Sequence, residues 1–275
     1  DLVRSRGLGD VYKRQDTYTD ITNDIKSGVF TIQNADDFKK LLNADPAVYQ
    51  NITVLFSNNQ SQFKASDFTG IEKGLGNEEY PFMGTVKANE GSAINLPINF
   101  ALFEYLSDSA NLDTIIFARP EEKNSALLAE NVIHGDVASA NKWKIKADPV
   151  DDSGATIYKS FTSVIGNMKN GATVDLDITL SDVQVEVSGG DNAGLACGTM
   201  DENTSLAVNL SSSSLDVSGK SNAGVFVGKM SADATLSIDK CDTLTSVNIS
   251  ANNAGGLVGS AETVSYTHLR AHETV

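Results

Sequence analysis

Five glycines recur at a near-constant interval. Gly135, Gly166, Gly198, Gly228 and Gly259 follow one another at steps of 31, 32, 30 and 31, and one more such step toward the N-terminus lands on Glu104. A fixed period of about 30 residues marks a solenoid, in which each repeat is one structural unit stacked on the next. The segments around this comb read ALFEYLSDSANLDT (101–114), VIHGDVASANKWKI (132–145), VIGNMKNGATVDL (164–176), ACGTMDENTSLAV (196–208), FVGKMSADATLSI (226–238) and LVGSAETV (257–264). Just beyond the comb position, on the same side of the strand, stand Leu106, Val137, Met168, Met200, Met230 and Ala261. Further along stand Leu112, Trp143, Val174, Leu206 and Leu236, followed by Thr114, Ile145, Leu176, Val208 and Ile238. Apolar residues alternating at period two read as strand with one face buried.

A single coil of short strands cannot bury its inward face alone, whereas stacked coils bury a continuous apolar row and pair their strands in parallel, roughly 4.8 Å apart. VEVSGGDNAG (185–194), LDVSGKSNAG (215–224) and VNISANNAG (247–255) place Asn192, Asn222 and Asn253 at one site. Stacked amides there form an asparagine ladder, and the glycine after each asparagine is expected to take a turn conformation that a Cβ resists. In TVDLDITLSDVQVEV (173–187), Val174, Leu176, Ile178 and Leu180 share one face, and Asp175, Asp177 and Thr179 the other. A two-sheet sandwich also has strands at regular intervals, but six registered repeats favour the solenoid.

NAGGLVG (253–259), NAGVFVG (222–228) and NAGLACG (192–198) resemble the GLUG-type glycine-rich β-helix repeats of secreted and wall-attached bacterial proteins. DFTGI (67–71), YPFMGTV (80–86) and AINLPINFALFEYL (93–106) resemble the opening coil of such helices, with VKANEGSA where those repeats carry a Phe-Asp-Gly-Asn-Gly turn. The resemblance spans about 67–264. It implies a fold and an extracellular or cell wall-attached location, with signal and anchor outside this stretch, and no activity. The expected architecture is all-β: a right-handed parallel β-helix at 67–264 behind a helix-and-strand cap at 16–66.

The two ends resemble translated sequencing adapter. SYTHLRAHET (265–274) is one translation of an adapter strand, and SRGLGDVYKRQ (5–15) is a translation of its reverse complement. Residues 1–15 and 265–275 are therefore set aside as artefact, leaving an internal fragment at about 16–264. Removing Arg4, Arg6, Lys13, Arg14 and Arg270 leaves 16 basic residues of 21, and removing Asp1, Asp10 and Glu273 leaves 33 acidic residues of 36. The fragment stands at −17, against −15 for the whole chain. With one arginine, Arg119, no basic patch exists for a phosphate backbone, which excludes nucleic acid as a partner. An anionic membrane surface would repel it, and direct membrane insertion of this fragment is not expected. Two cysteines define no disulfide framework. Cys197 aligns with Ile165, Val227 and Val258 as a small buried hydrophobe, and Cys241 lies in a turn-like DKCD.

TIQNADDFKKLLNADP (31–46) reads as a short helix near 34–43, capped by Asn34, with Asp36 and Asp37 in its first turn, a Phe38, Leu41 and Leu42 stripe, and Pro46 closing it. ITVLF (52–56) reads as a strand. Helix and strand ahead of the coils suit a cap over an open solenoid end. At the other end the fragment stops in mid-repeat, which would leave an association-prone edge. The excursions 115–131 and 146–160, with RPEEKN and DPVDDSG, break the pattern, and such excursions often carry binding.

Pectin-acting enzymes on parallel β-helices place outer-face aspartates for calcium or acid–base work. The candidates here are Asp151, Asp152, Asp175, Asp177 and Asp182. Asp175 and Asp177 alternate on one strand about 7 Å apart. The competing interpretation is a solvated acidic face. Lys142, Trp143 and Lys144 are the candidate binding residues, lysines beside a sugar-stacking aromatic, against a plain polar outer face. His134, the one histidine outside the adapter ends, aligns with Ile165 and Cys197 as an inward residue, and no second histidine exists for a metal site or triad. Phe103, Tyr80 and Tyr105 are candidates for an aromatic sugar platform or for packing in the first coil. Asn51, Asn59, Asn203, Asn209 and Asn248 head glycosylation tripeptides that matter only in a glycosylating host. No cofactor is called for, and calcium is the one ion the acidic face suits. The expected function is a noncatalytic, adhesin- or stalk-like surface segment presenting an outer face to glycans or to cell-surface and matrix proteins. The alternative is a polysaccharide lyase or glycoside hydrolase on the same fold.

Overall fold

Parallel pairing at a constant offset organises the chain. In the computed structural model, the described residues are 18–57, 63, 65–71, 73–89, 93–96, 100–107, 111–112, 115–118, 130–134, 142–147, 156–161, 164–169, 171–180, 183–188, 191–211, 214–241 and 246–262. The fold is an all-β parallel solenoid with about three regular turns, each contributing one strand to each of four sheets.

The comb sheet stacks Phe103–Leu106, Ile165–Met168, Cys197–Met200, Val227–Met230 and Val258–Ala261. From Ile165 onward its registered partners are Cys197, Val227 and Val258, at sequence offsets of 32, 30 and 31. A long sheet stacks Lys142–Ala147, Thr173–Leu180, Ser205–Ser211 and Thr235–Cys241. A third stacks Thr156–Phe161, Val183–Ser188, Ser214–Ser218 and Ser246–Ser250. A corner sheet is made of the very short strands Asn192–Ala193, Asn222–Ala223 and Asn253–Ala254. The inward rows follow the pattern in the sequence. Ile165, Cys197 and Val227 form one buried column, Met168, Met200 and Met230 the next, and Val174 pairs with Leu206, which pairs with Leu236. Cys241 ends a strand rather than sitting in a turn. The corner between comb and long strands bends through Gly171, Asn203 and Asp233, all at positive φ (77°, 59° and 58°). Glycine, asparagine and aspartate tolerate that conformation best.

The 132–145 repeat departs from expectation. Phe103–Leu106 pairs directly with Ile165–Met168, with Tyr105 opposite Asn167. His134 therefore does not share the column of Ile165 and Cys197. It belongs to Glu130–His134, which runs antiparallel between Ala93–Leu96 and Ile115–Ala118. Gly135 lies outside the described residues. Trp143 stays in the long sheet but opposite Leu176 rather than Val174, and Leu112 pairs with Val86. The three strands share a β-branched content, with Ile94, Ile115, Ile116, Val132 and Ile133, that suits strand pairing.

Parallel stacking also continues below the comb. Val29–Ile32, Thr53–Phe56, Thr85–Ala88 and Asn111–Leu112 form a parallel sheet that crosses residue 66 without a break. The helix is Ala35–Leu42, with the Asn34 side chain accepting from the Asp36 and Asp37 amides at 2.9 and 3.1 Å. Pro46 does not close it. Pro46 opens a second helix, Pro46–Tyr49, capped by Asp45, because the missing N–H of proline costs nothing at a helix start. Phe38, Phe56, Phe63 and Phe68 pack edge-on or tilted, with ring centroids 5.5–6.3 Å apart.

Candidate functional site

The comb glycines answer to backbone crowding. A Cβ on Gly228 would stand 2.5 Å from the Ala193 nitrogen, and one on Gly259 2.5 Å from the Ala223 nitrogen. The corner strand of one coil lies directly on the comb strand of the next, and no side chain fits between. The glycines after the asparagines serve the same need. Gly194, Gly224 and Gly255 are not among the positive-φ residues, contrary to the turn conformation expected for them; a Cβ on Gly194 would stand 2.5 Å from the Phe226 carbonyl oxygen.

That crowding aligns the asparagines. Asn253 Nδ2 donates to Asn222 Oδ1 at 2.9 Å, Asn222 Nδ2 to Asn192 Oδ1 at 2.6 Å, and Asn192 Nδ2 to Thr199 Oγ1 at 3.0 Å. The Asn222 and Asn253 amides thus each donate to the coil before, and those of Asn192 and Asn222 accept from the coil after. Asn222, in the middle, is buried. The ladder ties three successive coils together side chain to side chain, as a strut does.

The comb sheet also carries a charged cluster. Lys169 Nζ lies 3.3 Å from both Glu78 Oε1 and Asp201 Oδ2, and 5.3 Å from the centre of the Tyr105 ring. Partial burial works against the Lys169 ammonium, but the neighbouring carboxylates outweigh it and raise the pKa, holding the charged form. Phe103 is fully buried against Phe82, and a face of Tyr105 is taken by Lys169. The third aromatic considered as a sugar platform, Tyr80, is half-exposed, and a side-chain hydrogen bond with Glu79 raises its pKa. Half-buried Glu104 fills the comb position held by glycine in the later coils. Burial pushes its carboxyl up from the usual range, with Lys73 pulling the other way. Glu104 lies on the end strand of the comb sheet, whereas a Cβ on Gly166 would stand 2.7 Å from the Glu104 carbonyl oxygen and one on Gly198 2.7 Å from that of Gly166.

Two candidates that the sequence set apart are brought side by side. Asp175 is in register with Lys142, and Asp177 with Lys144, on neighbouring strands of the long sheet. Both aspartates follow buried Val174 along the same strand. Asp151, Asp152 and Asp182 lie outside the described residues, as does Arg119. Among the described residues no group of three or more His, Cys, Asp or Glu converges as a metal site. No helix among them is long and apolar enough to cross a membrane. The sequence did not disclose the Lys169 cluster. Its members Glu78, Tyr105, Lys169 and Asp201 come from separate coils, and only the column offset linking Lys169 to Asp201 was available to find it.

Comparison with protein-family models, with curated proteins and with solved structures finds no match to this chain.

Proposed function

We propose that this chain is a noncatalytic β-solenoid segment of an exported bacterial protein, adhesin- or stalk-like, presenting an outer face to glycans or to cell-surface and matrix proteins. The observation that carries the proposal is the continuous interlock of the coils through the Asn192–Asn222–Asn253 amides and the backbone contacts at Gly228 and Gly259. A stack locked in this way is a stiff, acidic rod, and stiffness and solubility are what a spacer or display surface needs. The GLUG-like motifs support the exported, wall-attached setting. Binding of the purified chain to glycan arrays and to cells tests the display role. Signal from a defined glycan class fixes the ligand, and silence at saturating concentration reduces the role to a bare spacer.

The enzymatic reading keeps one observation in its favour: the register places a lysine beside each of Asp175 and Asp177, the acid and base that cleavage of an acidic polysaccharide requires. It demands turnover, with or without calcium, that Asp175→Asn or Lys142→Met abolishes. A panel of acidic polysaccharides with no product from the parent chain removes it for this segment.

A further inference from the structure

The comb sheet and the face beside it disagree by one level. Along that face, Thr85–Ala88 pairs with Asn111–Leu112, the following strand Ile115–Ala118 lies along Lys142–Ala147, and Lys142–Ala147 pairs with Thr173–Leu180. Every repeat is represented there. In the comb sheet, Glu104 and Gly166 stand two full periods apart in sequence, yet their strands are direct neighbours. The missing member is the 132–135 stretch, whose sequence Val-Ile-His-Gly places Gly135 on the comb and aligns His134 with Ile165 and Ile133 with Val164.

We propose that the Glu130–His134 strand is a displaced member of the comb sheet. The chain exchanges it between two places: the antiparallel sheet with Ala93–Leu96 and Ile115–Ala118, and the level between Phe103–Leu106 and Ile165–Met168. Insertion adds one strand spacing to the comb sheet, roughly 4.8 Å, and brings the two faces to the same number of levels. What holds the strand out is His134. In the inserted register it stands between Phe103 and Ile165, both 0 % exposed, and taking an imidazole out of water without a partner is costly. In the displaced place, Val132 and Ile133 instead pair with strands rich in Ile and Leu.

Two engineered disulfides distinguish the states, in the full chain carrying Cys197→Val and Cys241→Ser. Tyr105→Cys with Asn167→Cys reports direct pairing of the flanking strands, since these residues are in register. Insertion would move them about two strand spacings apart, beyond the roughly 7 Å that a disulfide spans. Ile133→Cys with Val164→Cys reports insertion. Under native oxidation of the folded monomer, both bonds are expected to form in their separate variants, the first faster. His134→Ile is expected to raise the rate of the second roughly tenfold, by removing the buried polar group. The proposal is overturned if the 133–164 bond fails to form with and without His134→Ile. It is equally overturned if that bond forms at once and the 105–167 bond never does, because the strand would then be a fixed member of the sheet.

Discussion

The two ends of this solenoid are stacked by different means. In the N-terminal levels the interior is aromatic, with Phe38, Phe56, Phe63, Phe68 and Phe100 packed ring to ring. The step between paired strands varies there: Val29 pairs with Thr53, a step of 24, and Thr53 with Thr85, a step of 32. From Ile165 onward the interior is mainly Val, Met, Leu, Ala and Cys, with Ile165 and Phe226 among them, and the step stays at 30–32. Aromatic rings can fill levels of unequal shape, so loops there are free to differ in length. Where a corner strand rests on a comb glycine, backbone meets backbone and the step is held within 30–32, a one-residue difference being taken up by a register shift in the long sheet between Val208 and Asn209. Periodicity is the signature of backbone contact, and its loss marks the levels where side chains carry the packing.

If the difference is as described, the two regions respond to unlike insults. Phe38→Ala removes the ring that touches Phe56, Phe63 and Phe68. It is expected to cost about 3–5 kcal/mol in urea denaturation, as large-to-small core changes do. Because solenoid levels contact only their neighbours, that loss should appear as early hydrogen exchange of the N-terminal levels, with the Ile165–Ala261 levels opening separately. A single shared transition, shifted as a whole, would mean that the two kinds of packing are coupled more tightly than their separate contacts suggest.

Gly228→Ala is the converse. One methyl group is added where the nearest atoms are the Ala193 nitrogen at 2.5 Å and the Gly198 carbonyl oxygen at 2.8 Å, all backbone. Overpacking of this kind costs about 1–3 kcal/mol, here confined to the later levels. An alanine at Gly256, where no atom lies within 4 Å of the added Cβ, should be nearly silent. Equal effects at 228 and 256 would dissolve the link between the comb and close approach.

The interlock through the amides comes next. Asn222→Ala removes the middle rung, leaving Asn253 Nδ2 without its acceptor and Asn192 Oδ1 without its donor. A loss of about 1–2 kcal/mol is expected. Asn253→Ala removes a single, exposed end rung and should cost less. Independent rungs predict that Asn222→Ala, which breaks two bonds, costs about twice Asn253→Ala, which breaks one. A larger ratio shows that continuity adds strength, and equal costs would show that the Asn222–Asn192 bond contributes nothing.

Much of the regular region was legible because its constraint is local. Asn192, Asn222 and Asn253 announce their column by spacing alone, and Met168, Met200 and Met230 theirs. Why the comb must be glycine was not legible, since the contact lies between residues more than one period apart and involves atoms that every residue has. The displaced strand was hidden for the opposite reason. Gly135 keeps the period, and the competing antiparallel pairing of Ile133 with Ile94 and Ile115 leaves no periodic trace. The candidate functional residues fared unevenly. Asp175 and Lys142 were each visible on their strands, but their being neighbours depends on a shift of Trp143 from the level of Val174 to that of Leu176, which spacing cannot reveal.

The boundary between the regions is itself a residue that can be tested. Glu104 stands at the comb position on the end strand of the comb sheet, half-buried, with its carboxyl pKa raised by burial against the pull of Lys73. A carboxyl whose folded pKa lies above its unfolded value binds its proton more tightly in the folded chain. Its favourable contribution is complete below the unfolded pKa and is lost as pH rises through the folded one. At neutral pH Glu104 is therefore a small burden, and Glu104→Gln should stabilise the chain there, by no more than the roughly 0.5 kcal/mol typical of a change outside the core. Below about pH 4, near the ordinary glutamate value, the two proteins should unfold alike. Stabilisation that persists unchanged into acid would show that the gain comes from packing of the amide. A loss of stability at neutral pH would show that Glu104 has a partner worth more than its burial costs, and the lower boundary of the comb would then be held by an ion pair rather than merely left open.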